Sequence, residues 1–487
     1  MENLSVSKIE QNYIYAIKLC GIYGIIFAFC LYKNLNGITF PVYAAATIFI
    51  SVLFLKKIGT AVQKSFSLYA FGIILLGIST VMTSNIFFHF FNWVGIQLLF
   101  MTAMMRQLDK GQSWDFGKYL KNIFMLCFRT IGSVFTPITH GIKYRKEAES
   151  KKENKVIKSI LIGVLIAALF LVVVLPLLVY SDKIFAQYFG RIVEAFKFYT
   201  EFKILLTVLF GAVMLYSFFT ALLKMELTDA QHKKEMNINP VTGITFSGIL
   251  TVIYVFYSVI QILFLFLRLD SGLPQGVTYS EYAHSGFWQL LGVSLINFVT
   301  VLVCKSIFKE NKTLKILLLI ISICTCIMAF SAFYRMILYV NVYHLTFLRI
   351  LVLWFLGMLL IIMLGVMWSI FHIKFALFKY ITVVVSSAYI ILSFANVDKI
   401  IVEYNVSHWE HIAPEDMVYL TYGVSLDAAP AIAKIDFDKN GDVSYGSFTI
   451  DDYFSNIRDM ENSGRNWNYS VAAAKKAADQ YFNQKVQ

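Results

Sequence analysis

The chain has 487 residues, of which 58% are apolar and only 15% are charged, and its formal net charge is +12. This composition excludes an ordinary soluble globular protein, because such proteins carry about 25% charged residues. A basic balance can indicate a nucleic-acid partner, but here the Lys and Arg residues stand in short gaps between long apolar stretches. We therefore expect a lipid bilayer, and no nucleic acid, to be the partner of this chain.

Eleven apolar stretches follow one another from Tyr13 to Ala395. The hydrocarbon core of a bilayer is about 30 Å thick and needs roughly 20 helical residues per crossing. Helices also satisfy the backbone polar groups where there is no water. The fold class predicted is thus an all-α, polytopic transmembrane helix bundle. The predicted spans are 13–32, 40–55, 66–84, 86–105, 159–180, 204–223, 241–267, 287–304, 313–334, 347–368 and 378–395.

Basic residues alternate in density from gap to gap, and this alternation predicts the orientation. The N-terminal segment and every second gap together hold 23 Lys or Arg residues, and the remaining gaps hold seven. Basic loops stay on the cytoplasmic side, so the N-terminus is predicted to be cytoplasmic. Eleven crossings then place the C-terminus outside the cytoplasmic membrane. We divide the chain into a transmembrane domain, residues 1–395, and a small extracytoplasmic domain, residues 396–487.

The basic cytoplasmic loop, residues 106–158, has two parts. Apolar residues recur at helical spacing from Ser113 to Phe135, which predicts an interfacial helix along the inner leaflet. A short re-entrant or packed helix is the alternative. Residues 140–158 are too polar for the membrane and predict a solvated linker. Pro137 marks the change of character.

The segment after residue 395 is predicted to be a mostly helical tail. Thr449 and Asp452 are spaced to cap one helix, and Ser470 is placed to cap the last one. A shorter helix is predicted to begin at Ser425 and Asp427. The tail contains 14 Asp or Glu residues against eight Lys or Arg residues, so it is the acidic part of the chain.

One tail segment, DFDKNGDVSYGS at residues 436–447, offers a weak calcium loop. Its candidate ligands are Asp436, Asp438, Asn440 and Asp442. They follow the spacing of an EF-hand loop, but the twelfth position is Ser447, which lacks the bidentate carboxylate, so binding would be weak. The favoured interpretation of this segment is instead a tight turn at Asn440-Gly441 between two short extended segments. We expect no other cofactor.

Charged residues are predicted to gather at the outer ends of the spans. They are Asp182, Glu281, His284, Arg335, Arg349 and Asp398. Placing a charged side chain near hydrocarbon costs free energy unless the charge is paired or hydrated. In the favoured interpretation, the carboxylates pair with the two arginines and fasten the tail onto the transmembrane domain. Two alternatives stay open, namely the mouth of a substrate path and an acid–base pair of Glu281 with His284 in an enzyme.

Several segments of the chain resemble a known family. They are Pro176 to Asp182, Thr278 to Phe287, Arg335-Met336 with Leu345 to Arg349, and the tail pieces 396–405, 419–430 and 467–470. In this order they resemble the bacterial integral-membrane proteins catalogued as domain of unknown function 4173, with the related family 4153. The chain departs from that pattern at Ser280, at His284, and at His344, where glycine is common. The resemblance implies a bacterial cytoplasmic-membrane protein of unsettled function.

No motif for catalysis is present in the sequence, which lacks a phosphate-binding loop, a His-Glu-x-x-His motif and a nucleophile elbow. We assign no catalytic residues and expect a non-enzymatic, multi-pass protein of the bacterial plasma membrane. An accessory, sensory or scaffold role facing the envelope is the favoured function, with a protein partner or an extracellular signal at the outer domain. The alternatives are a transporter of a small or lipid-linked substrate and an envelope-modifying membrane enzyme.

Overall fold

A computed structural model of the chain describes most of its residues. The described residues are 8–108, 116–149, 163, 167, 170–171, 174–175, 177–195, 200–226, 238–263, 279–372, 374–409, 416, 418–435 and 449–486. For residues 145–149, 192–195, 279–286 and 485–486 this description covers the backbone alone. Within these residues the regular structure is helical, and pairing of the strand type is confined to an isolated bridge between Ile238 and Phe308.

Within the described residues, ten helices are long and apolar enough to cross a membrane. They are α1 (Tyr13–Leu31), α2 (Thr39–Lys57), α3 (Ser65–Met82), α4 (Ile86–Leu108), α8 (Thr200–Glu226), α9 (Pro240–Gln261), α10 (Tyr279–Ile307), α11 (Lys312–Tyr343), α12 (Phe347–Phe371) and α13 (Leu377–Phe394). They confirm the all-α, multi-pass prediction and ten of its spans. The predicted span 159–180 lies largely outside the described residues.

Two helices, α5 (Phe116–Gly132) and α6 (Thr136–Glu149), lie between α4 and α8 and are bent by 57° relative to each other. Together they pass the same test of length and hydropathy, which raises the number of candidate spans to eleven. The linker prediction is wrong for residues 140–149, which belong to α6. The physical reason is local, since Pro137 stands in the first turn of α6, where its fixed φ favours a helix.

The chain folds as two compact units. Unit 1 comprises residues 1–33, 46–62 and 126–229, and unit 2 comprises residues 34–45, 63–125 and 230–487. Unit 1 also contains a short helix, α7 (Lys183–Ala195), which lies outside all of the predicted spans. The tail segments belong to unit 2, together with α3, α4 and α9 to α13. The division of the chain at residue 395 stays a prediction.

In unit 1, α1 packs lengthwise against α8 through small residues. A Cβ added at Gly24 would lie 2.3 Å from the carbonyl oxygen of Val208 and 3.0 Å from the Cβ of Ala212. One added at Gly211 would lie 2.8 Å from the ring of Phe27. Small residues at such crossings let helix backbones approach closely, which is a main source of helix association in membranes.

In unit 2, α11 packs against α9, α10 and α12, while α13 packs against α12 and α3. The turns Thr83 to Asn85 and His344 to Thr346, together with the start of α14, lie at one end of the unit, which we call the tail end. Apolar contacts join these turns, since Phe88, Leu392, Val397 and Ile401 pack into one buried cluster. The connections 308–311 and 372–376 lie at the opposite end.

The tail segments fold around a small apolar core of their own, which contains Leu420, Ile432, Phe454 and Ala478. Their helices are α14 (Val397–His408), α15 (Ala429–Ile432), α16 (Ile450–Asp459) and α17 (Tyr469–Val486), with a π turn at Tyr419–Gly423 and 3-10 turns at Leu426–Ala428 and Gly464–Asn466. A helical tail thus agrees with the predicted fold class.

Two of the predicted helix caps have different outcomes. The capping box is confirmed, because Thr449 and Asp452 bond each other's backbone N–H groups at the start of α16. The prediction for Ser470 is wrong. The side chain of Asn468 caps α17 instead, with its Oδ1 accepting from the backbone N–H groups of Ser470 (2.9 Å) and Val471 (3.3 Å).

Candidate functional site

A buried carboxylate of the tail lies against the turn between α3 and α4. Asp427 is 6% exposed. Its Oδ2 accepts a hydrogen bond from the Thr83 hydroxyl (2.5 Å), and its Oδ1 accepts from the backbone N–H and the hydroxyl of Ser84, both at 2.6 Å. The Ser470 hydroxyl, at the start of α17, also donates to Oδ1. One side chain therefore joins the transmembrane helices to two segments of the tail.

The α3–α4 turn presents these donors because its own side chains fix its shape. The Thr83 Oγ1 accepts from the backbone N–H of Asn85 (3.0 Å), and the Asn85 Oδ1 accepts from that of Phe87 (2.9 Å). Such short-range bonds from Thr and Asn are typical of turns and helix starts. The turn leaves the Ser84 N–H without a helical partner, and this N–H points at the tail.

Asp398, in the first turn of α14, is a second buried carboxylate and is 2% exposed. Its Oδ2 accepts from the Asn85 Nδ2 (2.7 Å) and from the Ser425 hydroxyl (2.5 Å). The same turn thus contacts both carboxylates through consecutive residues. We call the whole set of bonded side chains the tail latch. Its members are Thr83, Ser84, Asn85, Asp398, Ser425, Asp427, Asn468 and Ser470.

Asn468 is the member of the tail latch with the most bonds to backbone groups. It is 1% exposed, and its Nδ2 donates to the carbonyl oxygens of Asn36 and Thr83, both at 3.0 Å. The backbone near Asn36 also meets the tail, because the Asn34 Nδ2 donates to the carbonyl of Arg465 (2.8 Å). At Gly37 an added Cβ would lie 2.3 Å from that carbonyl oxygen, so this approach requires glycine.

The tail latch is built from neutral donors around two acids. In the part of the chain that the structure describes, neither carboxylate takes part in an ion pair. Burial raises the pKa of Asp398, and the nearby Asp427 raises it further, whereas hydrogen bonds from Ser425 and Asn85 oppose the rise. Burial also raises the pKa of Tyr419 to about 12, and the charge of Asp398 adds to this rise.

This raised pKa leads to a pH-dependent prediction for Asp398→Asn. Both bonds of Asp398 end on one oxygen, which an amide retains, so the variant should keep them. A group whose pKa is higher in the folded state than in the unfolded state stabilises the fold below its unfolded pKa and loses this contribution as the pH rises through its folded pKa. The variant should therefore be at least as stable as the wild type at pH 7, and its advantage should shrink towards pH 4.

Thermal unfolding of both proteins in detergent at pH 4, 5, 6 and 7 measures this difference. Glu403→Gln removes an exposed carboxylate from the same helix and is the control, for which we expect a difference within about 0.5 kcal/mol at every pH. An advantage of Asp398→Asn that grows as the pH falls would contradict the prediction.

The two predicted arginines lie in unit 2, and each contacts neutral groups. Arg349 donates from its Nη1 to the carbonyl oxygens of Tyr343 and His344, and its guanidinium lies 4.5 Å from the ring centre of Tyr339. It thereby secures the α11–α12 turn, where His344 has a φ of 62°. Glycine reaches that conformation without steric cost, whereas a residue with a Cβ, such as His344, does not.

Arg335 is buried in α11, and its Nη2 lies 3.3 Å from the Oε1 of Gln261 on α9. The same oxygen accepts from the Ser331 hydroxyl at 2.6 Å. Asp182 lies in unit 1, where it is exposed and caps α7 by accepting from the N–H groups of Ile184 (2.7 Å) and Phe185 (3.2 Å).

The remaining predicted residues fall outside the description of side chains. Glu281 and His284 lie in the first turns of α10, and their pairing with the arginines stays a prediction. The calcium loop at residues 436–447 lies outside the described residues altogether, so calcium binding there also stays a prediction.

These features define the class of the protein. It is a multi-pass helical membrane protein whose C-terminal segments are hydrogen-bonded onto the transmembrane helices at buried carboxylates.

The chain belongs to the family described as Domain of unknown function (DUF4153), whose family model matches residues 70–435. Of the two families that the sequence resembles, the match shows family 4153. It does not show the relation to family 4173. It includes Asp398 and Asp427 and ends before α16. No curated protein and no solved structure matches the chain.

Proposed function

We propose that the chain is a non-enzymatic scaffold or sensor of the bacterial cytoplasmic membrane, which presents its tail on the outer side to a protein partner or a signal. The observation that carries this proposal is the bonding of Asp427, whose two oxygens receive four hydrogen bonds from two other segments of the chain, the α3–α4 turn and the start of α17. A tail held in this way has a fixed position on the membrane helices. A fixed position is what a scaffold or a sensor requires.

The chemistry of the tail latch favours a structural role over a catalytic one. The hydroxyls of Ser84 and Ser470 donate their protons to a carboxylate that is 6% exposed, and the carboxylate is saturated with donors. A catalytic acid or base must reach the substrate proton within about 3 Å, which requires an open approach. Among the described residues, Asp427 is enclosed by its hydrogen-bond donors and has no open approach of this kind.

The distribution of charge supports the proposed orientation. Within unit 2, the end opposite the tail carries Lys64, Arg106, Lys309 and Lys374 in or beside its connections. Basic residues of short loops are retained in the cytoplasm, which leaves the tail end outside.

The proposal can be tested by photo-crosslinking in cells. A photoreactive phenylalanine analogue would replace Tyr422, a tail residue that is 67% exposed. We expect a discrete adduct with another protein, or with a second copy of the chain, that forms in intact cells. The matched control is Phe71, which is 64% exposed on the transmembrane helix α3 and should crosslink to lipid.

Two further measurements complete this test. A membrane-impermeant maleimide should label a cysteine placed at Ser455 in the tail of intact cells, and it should not label one placed at Lys309. Labelling at the tail without any protein adduct from Tyr422 and two other exposed tail positions would overturn the scaffold function. Labelling at Lys309 alone would overturn the orientation.

One observation favours a transporter as the second candidate. Asn297, in the interior of α10, is fully buried, and its Nδ2 donates to the Thr325 hydroxyl of α11 (3.0 Å). Its Oδ1 makes no hydrogen bond within the described residues. Polar groups at such depth in a membrane protein often mark a substrate path. A solute taken up by cells with the chain, and lost with Asn297→Leu, would favour this function.

A further inference from the structure

Helix α5 carries two apolar faces, and its first part, residues 116–125, which belongs to unit 2, packs within that unit through one of them. Tyr119 and Ile123 are 5% and 8% exposed. The ring of Tyr119 stacks on that of Phe378 in α13, with their centres 4.1 Å apart and an angle of 7° between the planes. The ring of Phe116 lies 6.3 Å from that of Phe298 in α10. The helix is therefore packed onto the bundle through aromatic contacts.

The second apolar face of α5 is exposed. Leu120, Phe124, Phe128 and Ile131 are 43%, 59%, 72% and 54% exposed. Their spacing of four, four and three residues places them in one stripe, because an α-helix has 3.6 residues per turn. This sequence pattern is that of an amphipathic segment with a bulky apolar surface.

Basic residues border this stripe. Lys118 and Lys121 are exposed, and each lies on the side of the helix that is neither packed on the bundle nor part of the stripe. Arg129 lies on the same side two turns later. The helix contains no acidic residue between Phe116 and Gly132. An apolar stripe with a purely cationic edge is typical of helices that bind the surface of anionic membranes.

The position of residues 116–125 of α5 in unit 2 agrees with a membrane surface. Phe378 is the second residue of α13, so the stacked ring of Tyr119 lies at the end of the unit opposite the tail latch. The connection 372–376, with Lys374, precedes it at the same end. Tyr119 therefore lies near this end of the bundle, where lysines can extend their charges towards headgroup phosphates.

From these observations we infer that the exposed face of α5 is a docking surface for anionic phospholipids of the leaflet opposite the tail. The apolar stripe enters the acyl region, and Lys118 and Lys121 bind the headgroup phosphates. A soluble protein partner would need acidic groups and a matching apolar surface. The bilayer supplies both at this depth.

The test uses a tryptophan at the centre of the stripe and brominated lipids that quench it. The Phe124→Trp variant would be reconstituted into vesicles of phosphatidylcholine and phosphatidylglycerol at equal fractions, with bromine on the acyl chains of one lipid at a time. The signal of the seven native tryptophans is subtracted with the unsubstituted protein. We expect brominated phosphatidylglycerol to quench several times more strongly than brominated phosphatidylcholine.

The lysines provide the decisive comparison. Adding Lys118→Gln and Lys121→Gln should abolish most of the preference for phosphatidylglycerol, because each cation at an anionic surface contributes about 1 kcal/mol. The control pair, Lys434→Gln and Lys476→Gln, removes two exposed charges from the tail and should leave the preference unchanged.

Three outcomes would overturn the inference. Equal quenching by both lipids would mean that the face contacts the bilayer without headgroup selectivity. Absence of quenching by either lipid would mean that protein covers the face. If the control pair lowers the lipid preference as much as the α5 pair does, the preference arises from net charge and not from α5. Size-exclusion profiles and thermal unfolding of every variant show whether the fold is retained.

Discussion

Replacing Asp427 with alanine is expected to detach the tail from the transmembrane helices and to lower the free energy of unfolding by about 3 kcal/mol. The substitution removes the acceptor of the Ser84 N–H and of three hydroxyls. The hydroxyls can rotate to other partners, but the N–H is fixed by the turn and stays partly buried without its acceptor. An unsatisfied buried donor costs about 1–3 kcal/mol.

Asp427→Asn should have a smaller effect, of about 1 to 2 kcal/mol. The amide oxygen can still accept from Ser84, while the amide nitrogen then faces the Thr83 hydroxyl, whose proton loses its acceptor. One hydrogen bond of the set is lost, and the shape of the side chain is kept. The order wild type, Asn, Ala is therefore the expected order of stability.

Denaturant unfolding in detergent measures the stability, and amide hydrogen exchange at residues 83–85 and 468–471 measures the attachment of the tail. Asp479→Ala removes an exposed carboxylate of α17 and is the control. If Asp427→Ala is not produced as a folded protein, Ser470→Ala deletes a single donor and should raise exchange at the start of α17. Unchanged exchange in both variants would contradict the role of the tail latch.

The long apolar spans could be predicted because each is a local property of the sequence. A helix in hydrocarbon needs about 20 apolar residues wherever it lies in the fold, so composition alone locates it. The cap of α16 is local in the same sense, since Thr449 and Asp452 bond each other within one turn. Pro137 shows the limit of this approach, because the polar residues after it indicated a linker although the proline begins a helix.

The tail latch could not be predicted in this way. Thr83 and Asp427 are 344 positions apart. The residues around each of them give no indication that the two side chains are in contact. Its donors are neutral residues of ordinary kinds, whereas the prediction for this end of the bundle rested on pairs of opposite charges. The predicted charged cluster contains only Asp398 of these residues, whereas Ser425, Asp427 and Ser470 were predicted as helix starts. A signal was present in the run Thr83 to Asn85, where three small polar residues replace the charges or glycines usual between two spans.

The misassignment at Ser470 has a related cause. Serine is a common N-cap, and the residues after it favour a helix, so position 470 was the natural choice. In the structure, Asn468 takes the cap, and the Ser470 hydroxyl is used by Asp427. The local preference for serine at the N-cap was overridden by the contact of Ser470 with the distant Asp427. Sequence patterns are least informative about such contacts.

Gly24→Ala in α1 is the second substitution expected to have a large effect, this time in unit 1. The new Cβ would lie 2.3 Å from the Val208 carbonyl oxygen, which belongs to the backbone of α8 and cannot move unless that helix moves. Overpacking of this kind costs about 1–3 kcal/mol, to which the loss of the close α1–α8 approach is added. We expect the variant to be less stable by about 3 kcal/mol.

The matched control is Gly21→Ala, three residues earlier on the same helix, where an added Cβ meets nothing within 4 Å. Alanine is favoured over glycine in a helix by about 1 kcal/mol, so this variant should be slightly more stable than the wild type. Both substitutions change the helix propensity of α1 equally. The difference between their unfolding free energies, measured by denaturant titration in detergent, therefore reports the packing of α1 against α8 alone. Equal effects of the two would mean that α1 and α8 do not meet at Gly24.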